Sequence, residues 1–214
     1  MRIIKLALPS LIETLILVGV SSLVSAAFGL ALGLVLVAVG KGGVEENGTI
    51  YFILTKIVDA IRSIPFIILL FFLFPVTKII MGTSIGIKAA LFPLIVAAIP
   101  FYARISEGAL LGVPPGIREA AASIGAGSFD ILKVMLHEAQ VPLVRGLINL
   151  IINLIGYSAM AGAVGGGGLG DLAIRYGLHR YNFNIMVVTV VILYILVTLI
   201  QNIGDWYVAK LERK

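Results

Sequence analysis

The 214-residue chain has no cysteine, two histidines and only 13% charged residues, where a soluble domain carries about 25% charged. The missing cysteines exclude disulfides, thiol catalysis and any cysteine-based metal site. The scarcity of charge leaves too little to make the solvated surface of an extramembrane domain. A self-contained ATPase, a nucleic-acid-binding domain and an extramembrane enzyme of ordinary size are therefore excluded. What is abundant is apolar: 60% of the residues are hydrophobic and the mean hydropathy is +1.11. At about 20 apolar residues per helical crossing, that suffices for five or six crossings. The formal charge of +5, from 16 Lys+Arg against 11 Asp+Glu, bears on orientation and anionic lipid rather than on nucleic acid.

A charge at mid-bilayer costs several kcal/mol, so stretches free of ionisable residues mark the spans. Five such stretches predict an all-α integral membrane protein, with spans at about 12–39, 57–77, 86–106, 143–165 and 183–206. The first run, from Glu13 to Lys41, is too long for the apolar part of a signal peptide. The last ends in the interfacial pair Trp206 and Tyr207. The second and third are short, with about 15 uncharged residues between Arg62 and Lys78 and again between Lys88 and Arg104. That is about 22 Å of helix, so snorkelling ends or burial in a bundle must make up the difference. Lys56, Asp59 and Arg62 recur every three residues and predict a polar flank at the water interface, while Pro65 and Pro75 limit or bend the second span.

Lys/Arg counts orient the chain. If the segment between spans three and four is cytoplasmic, its side collects Lys41, Lys56, Arg62, Arg104, Arg118, Lys133, Arg145, Lys210, Arg213 and Lys214. The opposite side has Arg2, Lys5, Lys78, Lys88, Arg175 and Arg180. The bias predicts an N-terminus outside and a C-terminus in the cytoplasm.

The longest polar interruption, about 108–138, has built-in order. Pro114 and Pro115 suit the first turn of a helix that Gly125 and Gly127 then stop, and Ser128 is the expected N-cap of a second short helix with Asp130 in its first turn. Such a loop reads as a docking surface. Its core, Glu119-Ala120-Ala121, three residues including Ser123, then Gly125 and Ala126, resembles the "EAA" loop of the permease subunits of bacterial ABC importers. That resemblance implies a cytoplasmic coupling helix seated in a cleft of an ATP-binding subunit. Small alanine side chains permit a close fit, glycine permits backbone approach and the glutamate accepts donors from the partner. Two departures from the family pattern concern the exit of the loop: Val134-Met135-Leu136 arrives one residue early, and His137 stands where the family has proline.

The other informative stretch is the glycine run Gly165–Gly170. It satisfies G-x-G-x-x-G formally but lacks the preceding strand and the later acidic residue of a dinucleotide site. Ser158, Gly162 and Gly166, four apart, form a small-residue seam for tight helix packing, and Ser21, Ser25, Gly29 and Gly33 form another in span one. Asn149, Asn153 and Tyr157, followed by Met160, make a polar stripe on span four. Interhelical hydrogen bonding and the lining of a substrate pathway account for it equally well. The segment from Tyr157 to Gly177, and Arg62-Ser-Ile-Pro65-Phe-Ile-Ile-Leu in span two, are similar to the methionine-importer permeases. The similarity covers essentially the whole chain. It implies a type I importer permease that pairs with a second copy of itself, binds two copies of an ATPase in the inner membrane and receives methionine from an external substrate-binding lipoprotein. It also implies that Met160 lies at a gate with Tyr157 near the pathway. ATP and magnesium would then be used by the partner ATPase, with no cofactor on this chain.

Other functions fit less well. A permease for another amino acid or small solute stays open. A stand-alone secondary transporter would need internal repeats and carboxylates deep in the membrane, and spans one, four and five carry none well inside. An intramembrane enzyme would need paired catalytic groups at depth, and His137 and His179 lie outside the spans. No Gly-x4-Gly-Lys-Ser/Thr phosphate loop is present.

Overall fold

The computed structural model describes residues 2–213, with side chains from Lys5 onward. Arg2 and Lys214, counted above for orientation, lie outside the residues whose side chains are described. The described chain is helical: α1 (Arg2–Val39), α2 (Gly48–Ser63), α3 (Phe66–Phe72), α4 (Phe74–Met81), α5 (Ile87–Leu111), α6 (Pro115–Ser123), α7 (Ser128–Glu138), α8 (Gln140–Gly162), α9 (Gly168–Leu172), a π-helical turn over Ala173–Leu178, and α10 (Phe183–Leu211). Lys5–Val39 of α1, and α5, α8 and α10 in full, are long and apolar enough to cross a membrane. Helices α2 to α4 occupy the place of the remaining expected span.

That span is not the single helix over 57–77 that the sequence predicts. It breaks where Ile64 turns extended (φ −88°, ψ 124°) ahead of Pro65. Proline disfavours helical geometry in the residue before it and has no N–H to bond back into the preceding turn. Pro75, by contrast, sits harmlessly in the first turn of α4. The third span also differs: α5 runs on from 106 to Leu111. It does so because Arg104 and Glu107 neutralise one another at 2.7 Å, so charge does not end the helix.

Helix α5 is the packing centre. Its Leu94, Ala98 and Tyr102 join Leu17, Leu70, Leu150 and Leu154 in one apolar core, and the Tyr102 hydroxyl donates to the Leu143 carbonyl of α8 at 3.1 Å. Helix α1 lies along α5 through its small residues. A β-carbon on Gly33 would stand 2.7 Å from Ser106 Cβ and 2.9 Å from the Ala103 carbonyl oxygen. One on Gly29 would stand 2.9 Å from the Ile99 carbonyl oxygen. Backbones approach this closely only where no side chain intervenes.

The fourth span stops at Gly162 rather than 165 because Gly165, Gly167 and Gly168 take left-handed backbone angles (φ 82°, 79° and 79°). The seam of Ser158, Gly162 and Gly166 is consequently not one helical stripe. Ser158 and Gly162 are inside α8, with Gly162 against the backbone of Gly170 and Asp171. Gly166 lies beyond the helix, folded against Ala161 and Ala90. Short α9 is thereby laid back onto α8 and fixed by α1: the Gly168 amide donates to Glu13 Oε2 at 2.7 Å and the Leu169 amide to Thr14 Oγ1 at 2.8 Å.

Candidate coupling loop and pathway

Helix α6 starts at Pro115 and turns Ile117 and Ala121 inward, Ala121 being its one fully buried residue. That alanine is buried with Leu110, Val113, Ile131 and Met135 in a second apolar core. Glu119, Ala120, Ser123 and Gly125 face outward and Ala126 is half-buried. Of the motif residues, Ala121 thus holds α6 to its own chain and is not available for a partner, because α6 is amphipathic and must bury one side. The tip is apolar and open, with Ile124 85% and Phe129 78% exposed. Gly125 turns the chain with φ 80°, and the Ala126 amide closes the helix on the Ala121 carbonyl at 3.1 Å.

The loop is braced to the turn between α1 and α2. Ser128 does not cap α7; Gly127 occupies the cap position. The Ser128 hydroxyl instead donates to Glu45 Oε1 at 2.6 Å, and Arg118 donates to the Gly42 carbonyl at 3.4 Å. The charged partner of a neighbouring segment outcompetes the local cap. His137 remains helical where the family has proline, its Nδ1 2.7 Å from Gln140 Nε2, and α7 passes to α8 through the single junction residue Ala139. Pro142 falls in the first turn of α8, where no intrahelical N–H is missed.

On α8 the residues Asn149, Gly156 and Met160 are exposed, as is Ala163 just past its end, and Asn153 is half-buried. Their spacing follows the helical period, so they form one open face. Among the described residues, Asn153 bonds only the Asn149 carbonyl of its own helix, at 3.1 Å. Tyr157 borders this face and stacks on Phe66 of α3, with ring centroids 4.6 Å apart and planes 6° from parallel.

Two constellations are not legible in the sequence. The Arg104 guanidinium bonds both Asp59 oxygens (2.9 Å each from Nη2) and Glu107 (2.7 Å), while the Tyr51 hydroxyl donates to Glu107 at 3.0 Å. This ties α2 to α5. The recurrence of Lys56, Asp59 and Arg62 was the available signal, but it did not name a partner 45 residues away. Beyond α9, Arg175 pairs with buried Asp171. That hydrogen bond pushes the guanidinium above its already high ordinary range, so it stays charged. Among the described residues no three His, Cys, Asp or Glu side chains gather as metal ligands would.

A bundle of apolar helices with an ordered, braced surface loop and an open face along one long helix is the architecture of a membrane permease subunit. Residues 29–214 match the family described as "binding-protein-dependent transport system inner membrane component", and the chain belongs to that family. It is 47% identical over 203 residues to the probable D-methionine transport system permease protein MetI of Vibrio cholerae, covering 94% of this chain and 90% of that one. It is 42% identical over 166 residues to the methionine import system permease protein MetP of Bacillus subtilis, covering 77% and 75%. Among solved structures, an inward-facing MetNI methionine ABC transporter chain superposes with a TM-score of 0.96 at 43% identity, over 98% of each chain. An amino acid ABC transporter crystallised with histidines shares the fold alone, at a TM-score of 0.80 and 19% identity over 96% of this chain and 94% of that one.

Proposed function

We propose that this chain is the permease subunit of an ATP-driven methionine importer in the bacterial inner membrane. Two copies form the pathway between their α8 faces, and each docks one ATP-binding subunit on α6. The observation that carries the reading is α6 itself: Glu119, Ala120 and Ser123 face outward from a helix anchored by Ala121 and braced through Ser128 and Glu45. A helix so held transmits displacement rather than absorbing it. When ATP and magnesium close the partner ATPases, the two α6 helices are carried together and the bundle rocks from inward-open to outward-open. A substrate-binding lipoprotein then delivers methionine from outside, the side that holds the N-terminus, past Asn149, Asn153, Tyr157 and Met160. Hydrolysis and release in the ATPase reset the cycle, and the C-terminus stays in the cytoplasm.

Co-purification with the partner ATPase tests the docking. Wild type forms a stable complex, and Glu119→Arg loses ATP-driven uptake. A complex that never forms, or Glu119→Arg uptake equal to wild type, overturns the assignment.

A further inference from the structure

We infer that Arg62 reads the carboxylate of the transported amino acid at a site inside the bundle, beside the break between α2 and α3; this rests on the importer reading above. A cavity of about 120 Å³ lies there, walled by Arg62, Ile64, Phe66, Phe101 and Tyr157. Its depth follows from helix arithmetic. Tyr157 is 17 residues from the start of α8, or about 25 Å, and Ala97, also on the wall, is 10 residues or about 15 Å from the opposite end of α5. The cavity therefore sits well inside the bundle.

Arg62 is conspicuous there because, among the described residues, its one charge partner is a long ion pair with Asp59 and no hydrogen bond spends its donors. Its nearest acid, Asp59, is 3.9 Å away, and both Asp59 oxygens are already held by Arg104. Among the described residues the Arg62 guanidinium makes no hydrogen bond, and its side chain is 41% exposed. An ionised side chain at membrane depth is costly and persists where it meets an interior path or a ligand. Five unspent N–H donors in a planar fork match a carboxylate bidentately. The rest of the wall suits the remainder of a neutral amino acid. Phe66 and Tyr157, stacked 4.6 Å apart, and Phe101 offer apolar and polarisable surface, which thioether sulfur favours. Helix α2 ends at the cavity edge: the Ile61 carbonyl accepts the Ile64 amide, and among the described residues the Arg62 and Ser63 carbonyls take no backbone donor ahead of Pro65. They are acceptors for an ammonium group. In secondary transporters the carbonyls at the ends of broken helices hold cations in the same way.

Reconstituted complexes of the permease, its ATPase and the binding protein test the site with two readouts: uptake of labelled methionine, and photo-cross-linking by a diazirine analogue of methionine mapped on the permease. In wild type, cross-links fall in the segments around Phe66 and Tyr157. Arg62→Gln lowers uptake at least tenfold and abolishes those cross-links, and Arg62→Lys, with charge but no fork, falls between. Phe101→Trp fills the cavity and lowers uptake with Arg62 intact; it decides the matter if Arg62→Gln fails to co-purify with the ATPase. Uptake within twofold of wild type in both Arg62→Gln and Phe101→Trp, with cross-links unchanged, overturns the site and leaves the importer reading standing. Absence of methionine uptake in wild type overturns the importer reading itself.

Discussion

Arg104 of α5 holds both carboxylate oxygens of Asp59 of α2 at 2.9 Å, so the helix that ends at Pro65 is fastened to the packing centre of the bundle. Glu107, 4% exposed, takes the other side of the guanidinium and accepts from Tyr51. Asp59→Asn leaves Arg104 with one carboxylate. Because Asp59 is half-exposed, the loss belongs at the low end for a charged hydrogen bond, about 1.5–2 kcal/mol. Thermal unfolding of the purified protein should fall by about 3–8 °C on the scale of a domain this size. An unchanged midpoint would show that the pair contributes nothing to holding α2.

Gly33 gives a prediction whose sign runs against propensity. Glycine to alanine in a helix normally stabilises by about 1 kcal/mol. Here the new β-carbon meets Ser106 Cβ at 2.7 Å and the Ala103 carbonyl oxygen at 2.9 Å, so Gly33→Ala should destabilise by about 1–3 kcal/mol. Gly19 of the same helix has nothing within 4 Å. Gly19→Ala should raise the unfolding midpoint, and equal effects at the two sites would contradict the packing of α1 on α5.

The clasp of α1 on α9 predicts a local effect. Thr14→Val removes the acceptor of the buried Leu169 amide, a loss of about 1–3 kcal/mol. Hydrogen exchange at Leu169 should accelerate at least tenfold while the exchange of α5 amides stays as in wild type. Uniform acceleration across the chain would mean that α9 does not open separately.

Much of this architecture is legible in the sequence because the bilayer imposes long apolar helices, and α1, α8 and α10 announce themselves by length and composition. The α6–α7 loop is legible as well, through Pro114, Pro115 and Gly125, whose backbone restrictions are local. What is not legible depends on tertiary partners. Nothing near Asp59 says that Arg104 will hold it, and Ser128 reads as a cap until Glu45 arrives from a distant turn. Ala121 is indistinguishable from Ala120 in the motif, although one is buried and the other faces outward. Pro65 signals a bend, but the sequence does not say that Phe66, just past the break, will stack on Tyr157 of α8.

The absence of native cysteine makes the pairing of two copies directly testable. Met160, 47% exposed, sits on the open face of α8, whereas Val190, 57% exposed, lies on α10. Single Met160→Cys protein in membranes should form an oxidant-dependent disulfide dimer and Val190→Cys should not. The reverse pattern would move the contact between copies from α8 to α10.

On the proposed function, this chain moves methionine when a separate ATPase displaces α6. The decisive measurement is labelled methionine uptake into proteoliposomes holding the permease and ATPase, with the binding protein outside and ATP inside. Accumulation should require all three proteins and ATP and should disappear with Glu119→Arg. Uptake by the permease alone under an ion gradient, or complete assemblies that move a different solute and not methionine, would contradict it.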